Sequence, residues 1–537
     1  MFPAPGKGWI LTPESSALSY TAIWLLALLS LVSSLLTREL RPGSVAIECA
    51  ASGPVDAVFV TADCVDPDYV NVTIDSETDE EYPIPHRRVS GHFEGTTDDF
   101  NIYLPSKTVW KGRFFQLVYP TQNSSATDFA IGFGADSGGY TVQAASFGYR
   151  GNAAVAKLSR QIARDHYEDA SRDIYGYIYG GSGGSLQTVG AMESTAGIWD
   201  GAVVMIQAVP FSNPNNWAIR GLSSLVLAGK KTDVIHAVSP GGHGYLLPPA
   251  AFSPMEQAVF KESTTLGVPW RAWEDFEGTG QNRTLLWDVL RTLVIPEVKR
   301  VDPTYSDDFW SQPGYLGTEQ SDLGDFFRNA LVSFNTTVIG VEKGEDDAAV
   351  SITLSTIPEA LTDPLGLEFF IGSQDHHMYG SSFFGFLDIA TRTVTFPPDS
   401  NATVTSTISE NITLQVNNRW WLAVHTLHRH QIPPPSFDMY GYDFLRNANG
   451  EPLYPQREIL IGPIISQSAS GGAVHSGNIT GKVIIMDNLL DADAFPWHAD
   501  WYKHRVARSL GNAFEDNFRL YFSDNADHAL TFPGGPI

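Results

Sequence analysis

Ser182 stands in Gly180-Gly181-Ser182-Gly183-Gly184, a serine framed by glycines on both sides. Ahead of it, Ile174 to Tyr179 is an apolar and aromatic run with the β-propensity of a strand. Behind it, Leu186, Gln187, Val189, Ala191, Met192 and Glu193 read as helix. A serine at a strand-to-helix turn, with neighbours that lack side chains, can hold its hydroxyl exposed on a strained backbone. The helix that follows aims its N-terminus at the same point, where the Gly183 N–H can donate to a developing oxyanion. That context makes the stretch a nucleophile elbow. The bare pentapeptide decides nothing. With 48 glycines in 537 residues, chance supplies on the order of 0.3 matches in a chain this long. A glycine-rich structural turn and a phosphate-binding loop are the competing readings.

A nucleophilic serine needs a base to take its proton and a carboxylate to orient that base. Late in the chain, Lys482 to Met486 (KVIIM) reads as a strand and is followed by Asp487, Asp491 and Asp493. Phe518 to Phe522 reads as a last strand, followed by Asp527-His528. Serine, then acid, then histidine is the chain order of the α/β-hydrolases. His528 is assigned as base and Asp491 as acid, because Asp491 sits where the usual G-x-x-D loop carries its aspartate. Asp493 is the alternative acid and Asp487 a further competitor. His498 and His504 lie on an expected helix rather than past a strand. A second oxyanion donor is expected from the loop after Gly112 to Tyr119. Pro120 has no N–H, which leaves Tyr119 or Thr121.

These residues must be positioned by a sheet. Ser44 to Ala50, Ala57 to Ala62, Asp98 to Leu104 and Gly112 to Tyr119 read as strands, the last apolar enough to be buried on both faces. Asp75 to Tyr82 reads as an acidic, solvated loop and Thr121 to Asp136 as another loop. Gly151 to Asp169 reads as helix, with Val155, Leu158, Ile162 and Ala163 on one face, and Gly201 to Val209 as a buried strand. The alternation of strands and helices implies a mostly parallel α/β sheet with helices on both faces. It stops between Pro210 and Thr480, where Leu285 to Leu293 and Arg419 to His428 read as helices and Ala348 to Leu354 as a strand. The expected organisation is a leader over 1–40, an α/β-hydrolase core over 41–209 and 481–537, and an inserted cap or lid over 210–480.

The core resembles the tannase and feruloyl esterase family of α/β-hydrolases. The resemblance spans roughly Trp110 to Val209 and Lys482 to His528. It rests on Trp110-Lys-Gly-Arg-Phe-Phe-Gln116, a helix ending in a tyrosine, the elbow, the insertion, Asp491-Ala-Asp493 and the C-terminal Asp527-His528. It implies ester hydrolysis under a large lid by Ser182, Asp491 and His528. Two features depart from the family pattern. Its cysteines directly before the serine and after the histidine are here Gly181 and Ala529, and its long oxyanion glycine run is here Leu117 to Pro120. No motif matches the calcium found in family lids.

The remaining signals bound the setting. Net charge is −26, which argues against nucleic acid and anionic membrane surfaces as partners. Ala22 to Leu36 is an apolar run suited to a signal peptide or an uncleaved anchor. Seven sequons, at Asn71, Asn123, Asn282, Asn335, Asn401, Asn411 and Asn478, fit entry to the secretory route. Cys49 and Cys64, the only cysteines, are expected to form a disulfide there. The groups His425/His428/His430, Asp375-His376-His377 and Asp302/Asp307/Asp308 lack the spacing of a metal site. No metal or cofactor is expected. The functional expectation is a secreted or membrane-tethered serine hydrolase acting on a small-molecule ester or lactone, aromatic or polyketide-like. Acyl transfer by the same triad and a non-catalytic glycoprotein binding module are the alternatives.

Overall fold

Period-two burial organises the strands around the elbow. In Tyr175–Ser182, Gly176, Ile178 and Gly180 are buried while Tyr177 and Tyr179 are half-buried. The computed structural model describes residues 47–51, 57–242, 252–280, 285–344, 347–362, 365–372, 382–470 and 475–528. All of these but Ile47 fall in one unit, Glu48–Ile537.

Nine strands make the main sheet: β1 Val72–Glu80, β2 His86–Phe93, β3 Asp99–Pro105, β4 Arg113–Leu117, β5 Gly139–Ala144, β6 Tyr175–Ser182, β7 Gly201–Gln207, β8 Lys482–Asn488 and β9 Phe518–Ser523. Their spatial order is β1-β2-β3-β5-β4-β6-β7-β8-β9. The pairs β1/β2, β2/β3 and β3/β5 are antiparallel, and every later pair is parallel. A parallel sheet with one antiparallel edge, its elbow leaving a central strand, is the α/β-hydrolase arrangement.

Helix α1 (Asp128–Asp136) precedes β5, α2 (Tyr149–His166) joins β5 to β6, and α3 (Gly183–Ser194) joins β6 to β7. The sheet face carrying Phe114, Ile178, Val204 and Ile485 is fully buried. Arg160 of α2 lies over the Phe114 ring at 4.9 Å, which puts α2 on that side. The opposite face is more open. Phe115, Tyr177 and Val203 are only half-buried, and Ile484 and Met486 are exposed. There α1 covers one end, with Phe133 edge-on to Phe115 at 5.1 Å. The expected burial of β4 on both faces is thereby corrected to burial on one.

Two loops of the sequence reading are elements. Asp75 to Tyr82 lies largely in β1, where Glu77 pairs with Arg87 and Glu80 with Arg88 across the strand pair. The acidic run is solvated and is also a strand edge. Within Thr121 to Asp136, α1 forms behind Thr127, whose hydroxyl accepts from the Ala130 N–H.

β7 and β8 are hydrogen-bonded neighbours, with residues 208–481 between them in sequence. This stretch carries α4 (Asn213–Leu227), α5 (Pro254–Leu266) and further short helices, then a second, antiparallel seven-stranded sheet within Ser333–Asn417. That sheet has its own core, built on Val338, Ile352, Leu354, Phe369, Val394, Leu414 and Val416. Of its strands only Ala349–Leu354 was expected. The expected helix Leu285 to Leu293 runs on through a π-turn, Leu290–Val294, into Ile295–Val301. Arg419 to His428 breaks into Arg419–Val424 and Leu427–His430. After β8, α6 (Trp497–Leu510) leads to β9.

Cys49 and Cys64 form a disulfide. No helix among the described residues is long and apolar enough to cross a membrane. Ala22 to Leu36, Asn282 and Asp375 to His377 lie outside the described residues. The other six sequon asparagines are all exposed.

Candidate active site

The elbow is strained where the sequence demands it. Ser182, the last residue of β6, has φ +54° and ψ −119°, a region that L-residues seldom enter. The glycines two residues to either side of it are required because the chain folds back on itself there. A Cβ on Gly180 would meet the Val118 carbonyl oxygen at 2.6 Å, and one on Gly184 would meet it at 2.1 Å. The Ser185 hydroxyl donates to the Ser182 carbonyl and accepts from the Ala208 N–H at 2.9 Å, tying the turn to the exit of β7.

Loops past β8 and β9 bring the other two residues to the serine. They are laced together by Leu489 N–H to the Ser523 carbonyl at 3.0 Å and Leu490 N–H to the Ala526 carbonyl at 2.9 Å. Asn488 Nδ2 adds a bond to the Asp527 carbonyl at 2.6 Å. On this frame the His528 Nδ1–H faces both Asp491 carboxylate oxygens, at 2.9 and 2.8 Å. The Ser182 hydroxyl donates to His528 Nε2 at 2.9 Å. Asp491 is fully buried, and its Oδ1 also accepts from the Asp493 and Ala494 N–H groups at 2.7 Å each. Three donors thus converge on one buried carboxylate.

The competing acids are elsewhere engaged. Asp493 pairs with Arg220. Asp487 is buried at the end of β8, where burial first and the Asp491 charge second hold its carboxyl well above the usual carboxylate range. His498 is buried, with Nε2 at 2.8 Å from the Ser212 hydroxyl. His504 lies exposed beside Asp500.

The exit of β4 abuts the elbow. A Cβ on Gly183 would lie 3.3 Å from Pro120 and 3.6 Å from the Tyr119 ring, so Tyr119 flanks the serine turn. Tyr119 is 40% exposed. Thr121 is one residue further into the loop and is exposed.

The demoted groups serve packing and ion pairing. His428 Nε2 and Arg429 both bind Glu262. Asp302 and Asp308 bind Arg457, and Asp307 binds Arg419. Among the described residues no group of three or more His, Cys, Asp or Glu is arranged to hold a metal ion.

Sequence reasoning missed Arg220 and Asn216 of α4. Their only local signal is a four-residue spacing of Ser212, Asn216 and Arg220 along one face, in a helix that also carries Asn213, Asn215, Ser223 and Ser224.

No family model and no curated relative matches the chain. Solved structures similar to it include a tannin acyl hydrolase from Aspergillus niger (13% identity, 87% of this chain and 79% of that one, TM-score 0.35). Feruloyl esterase B from Aspergillus oryzae is similar at 11% identity over 86% and 80% of the two chains, TM-score 0.35. Candida antarctica lipase A in its closed state follows at 10% identity over 86% and 81%, TM-score 0.30. The first two bear the names of the family that the core motifs resemble.

Proposed function

We propose that this chain is a serine carboxylic-ester hydrolase, with Ser182 as nucleophile, His528 as general base and acid, and Asp491 as the orienting carboxylate. The observation that carries the reading is the unbroken hydrogen-bond chain Ser182 Oγ, His528 Nε2, His528 Nδ1, Asp491 at the carboxyl edge of the sheet. His528 takes the serine proton as Oγ attacks the ester carbonyl, and Asp491 stabilises the imidazolium that forms. The Gly183 N–H and, from the β4 exit, the Tyr119 N–H hold the oxyanion. His528 then protonates the leaving alcohol. Water activated by the same imidazole releases the acid from the acyl-enzyme. The sequence between β7 and β8 acts as a cap, and its many aromatic residues suit an aromatic or polyketide-like ester or lactone. No cofactor takes part.

The route of the protein is read as secretory. The Cys49–Cys64 bridge and six exposed sequon asparagines support this. Glycan removal from host-expressed protein is the check, and an unchanged apparent mass refutes it.

The triad is tested by fluorophosphonate labelling and by turnover of p-nitrophenyl butyrate. Labelling is expected at Ser182 alone. Ser182→Ala and His528→Ala each lose roughly 10³-fold or more in kcat, and the double variant loses little further because the pair acts as one unit. Wild-type turnover by Ser182→Ala would refute the reading.

A further inference from the structure

Asp493 touches the proposed acid and the intervening segment at once. Its N–H donates to Asp491 Oδ1 at 2.7 Å. Its carbonyl accepts from Asn216 Nδ2 at 2.7 Å. Its carboxylate pairs with Arg220. Both partners lie on α4, one turn apart, so a single helix face grips both polar ends of the residue that holds the acid.

Arg220 is unusual for a cation. Its side chain is 4% exposed. Besides Asp493, its guanidinium donates to the Thr279 carbonyl at 2.7 Å and the Gly278 carbonyl at 3.3 Å. Burial lowers it only to about 10, so it stays charged at neutral pH, and the negative charge of Asp491 favours that charged form. Asn216 is fixed in turn, its Oδ1 accepting from the Ser212 hydroxyl at 2.9 Å. Ser212 also meets Tyr442 OH at 2.9 Å and His498 Nε2 at 2.8 Å. A buried charge with a partner on each guanidinium nitrogen is costly to assemble and strongly destabilising to break. Its position next to the acid loop rather than at the surface calls for a role.

We propose that Arg220 and Asn216 are positioning residues for catalysis, through which helix α4 of the segment between β7 and β8 sets the place of the Asp491 carboxylate behind His528. This rests on the esterase reading and deepens it. The intervening segment then does more than cover the site. It completes the site's acid limb, and chain that merely shielded the serine would not need to reach the acid loop. Neither residue touches the reacting atoms, so both act entirely through Asp491.

A double-mutant cycle on the full-length protein decides. With Asp491 intact, Arg220→Gln is expected to lower kcat on p-nitrophenyl butyrate roughly tenfold, with KM changed by less than about twofold. In the Asp491→Asn background the same substitution is expected to cost less than about twofold, because the carboxylate it positions is gone. Arg220→Lys, which keeps the charge and loses the fork, should recover part of the activity. Should Arg220→Gln fail to accumulate as folded protein, Asn216→Ala, which deletes one hydrogen bond, runs through the same cycle with the same expected dependence on Asp491. Folded Arg220→Gln or Asn216→Ala at wild-type kcat, or equal losses in both backgrounds, overturns the inference. Wild-type protein that is not labelled at Ser182 overturns the esterase reading, and this inference with it, and is seen before any variant is made.

Discussion

Among the buried histidines, His425, His430, His475 and His498 are each at most 1% exposed. Burial lowers His425 to about 4 and the other three to about 3. In the unfolded chain each titrates near its ordinary value of about 6.5. As pH falls below that value, the unfolded state gains protons that the folded state refuses until its own, lower range. The stability is therefore full above pH ~6.5 and drains on acidification, at about 1.4 kcal/mol per pH unit for each such histidine. The melting temperature is expected to drop steeply between pH 6.5 and 4.5. A flat profile in that window would mean that these side chains reach water in the folded protein. At this scale the chain was largely readable. Ser182, Asp491 and His528 were picked out by glycine framing and by order relative to strands, and the structure sets them within hydrogen-bond distance. Arg220 and Asn216 were not found. Their partner Asp493 is remote in sequence, and a four-residue spacing among several polar residues of one helix does not say which of them has a buried counterpart.

Helices and strands were legible where periodicity ran unopposed, as in α2, β6 and α6. They were misread where composition and context disagreed. Helix α1 has the sequence DFAIGFGAD, and its two glycines read as loop. It is held by its Thr127 cap and by Gly134, where a Cβ would meet the Thr141 hydroxyl at 2.4 Å. The second sheet escaped because several of its strands are three or four residues long, too short to show a period. The glycines of these elements are not equivalent. Gly132 of α1 has open space where a Cβ would go, so Gly132→Ala is expected to raise stability by roughly 0.5–1 kcal/mol. Gly184→Ala sets a methyl group 2.1 Å from a backbone oxygen that cannot step aside. It is expected to lose labelling at Ser182 even where folded protein is recovered. Thermal melts and labelling of the two variants side by side check both, and a Gly184→Ala protein labelled at the wild-type rate would remove the steric account of the elbow.

The whole molecule places two hydrogen-bonded neighbours of one sheet, β7 and β8, on either side of residues 208–481. Pairing them closes a very long loop, and parallel pairing across such a separation is slow, because chain entropy is lost before the contact repays it. The strands up to β7 pair within nearby sequence and are expected to form first, with β8 and β9 docking after the intervening chain has folded or been held aside. Ser182 belongs to the early part, while Asp491 and His528 belong to the late part. On the proposed triad, the elbow is expected to assemble before the residues that would activate it, with reactivity acquired last. In refolding from denaturant with the disulfide intact, the far-UV circular dichroism signal is expected to return in an earlier phase than fluorophosphonate reactivity. Simultaneous recovery would mean that the two ends of the sheet find each other first. The order has a protective side. If that order holds, a newly made chain would carry a serine that stays chemically mute until its most distant strands have been delivered.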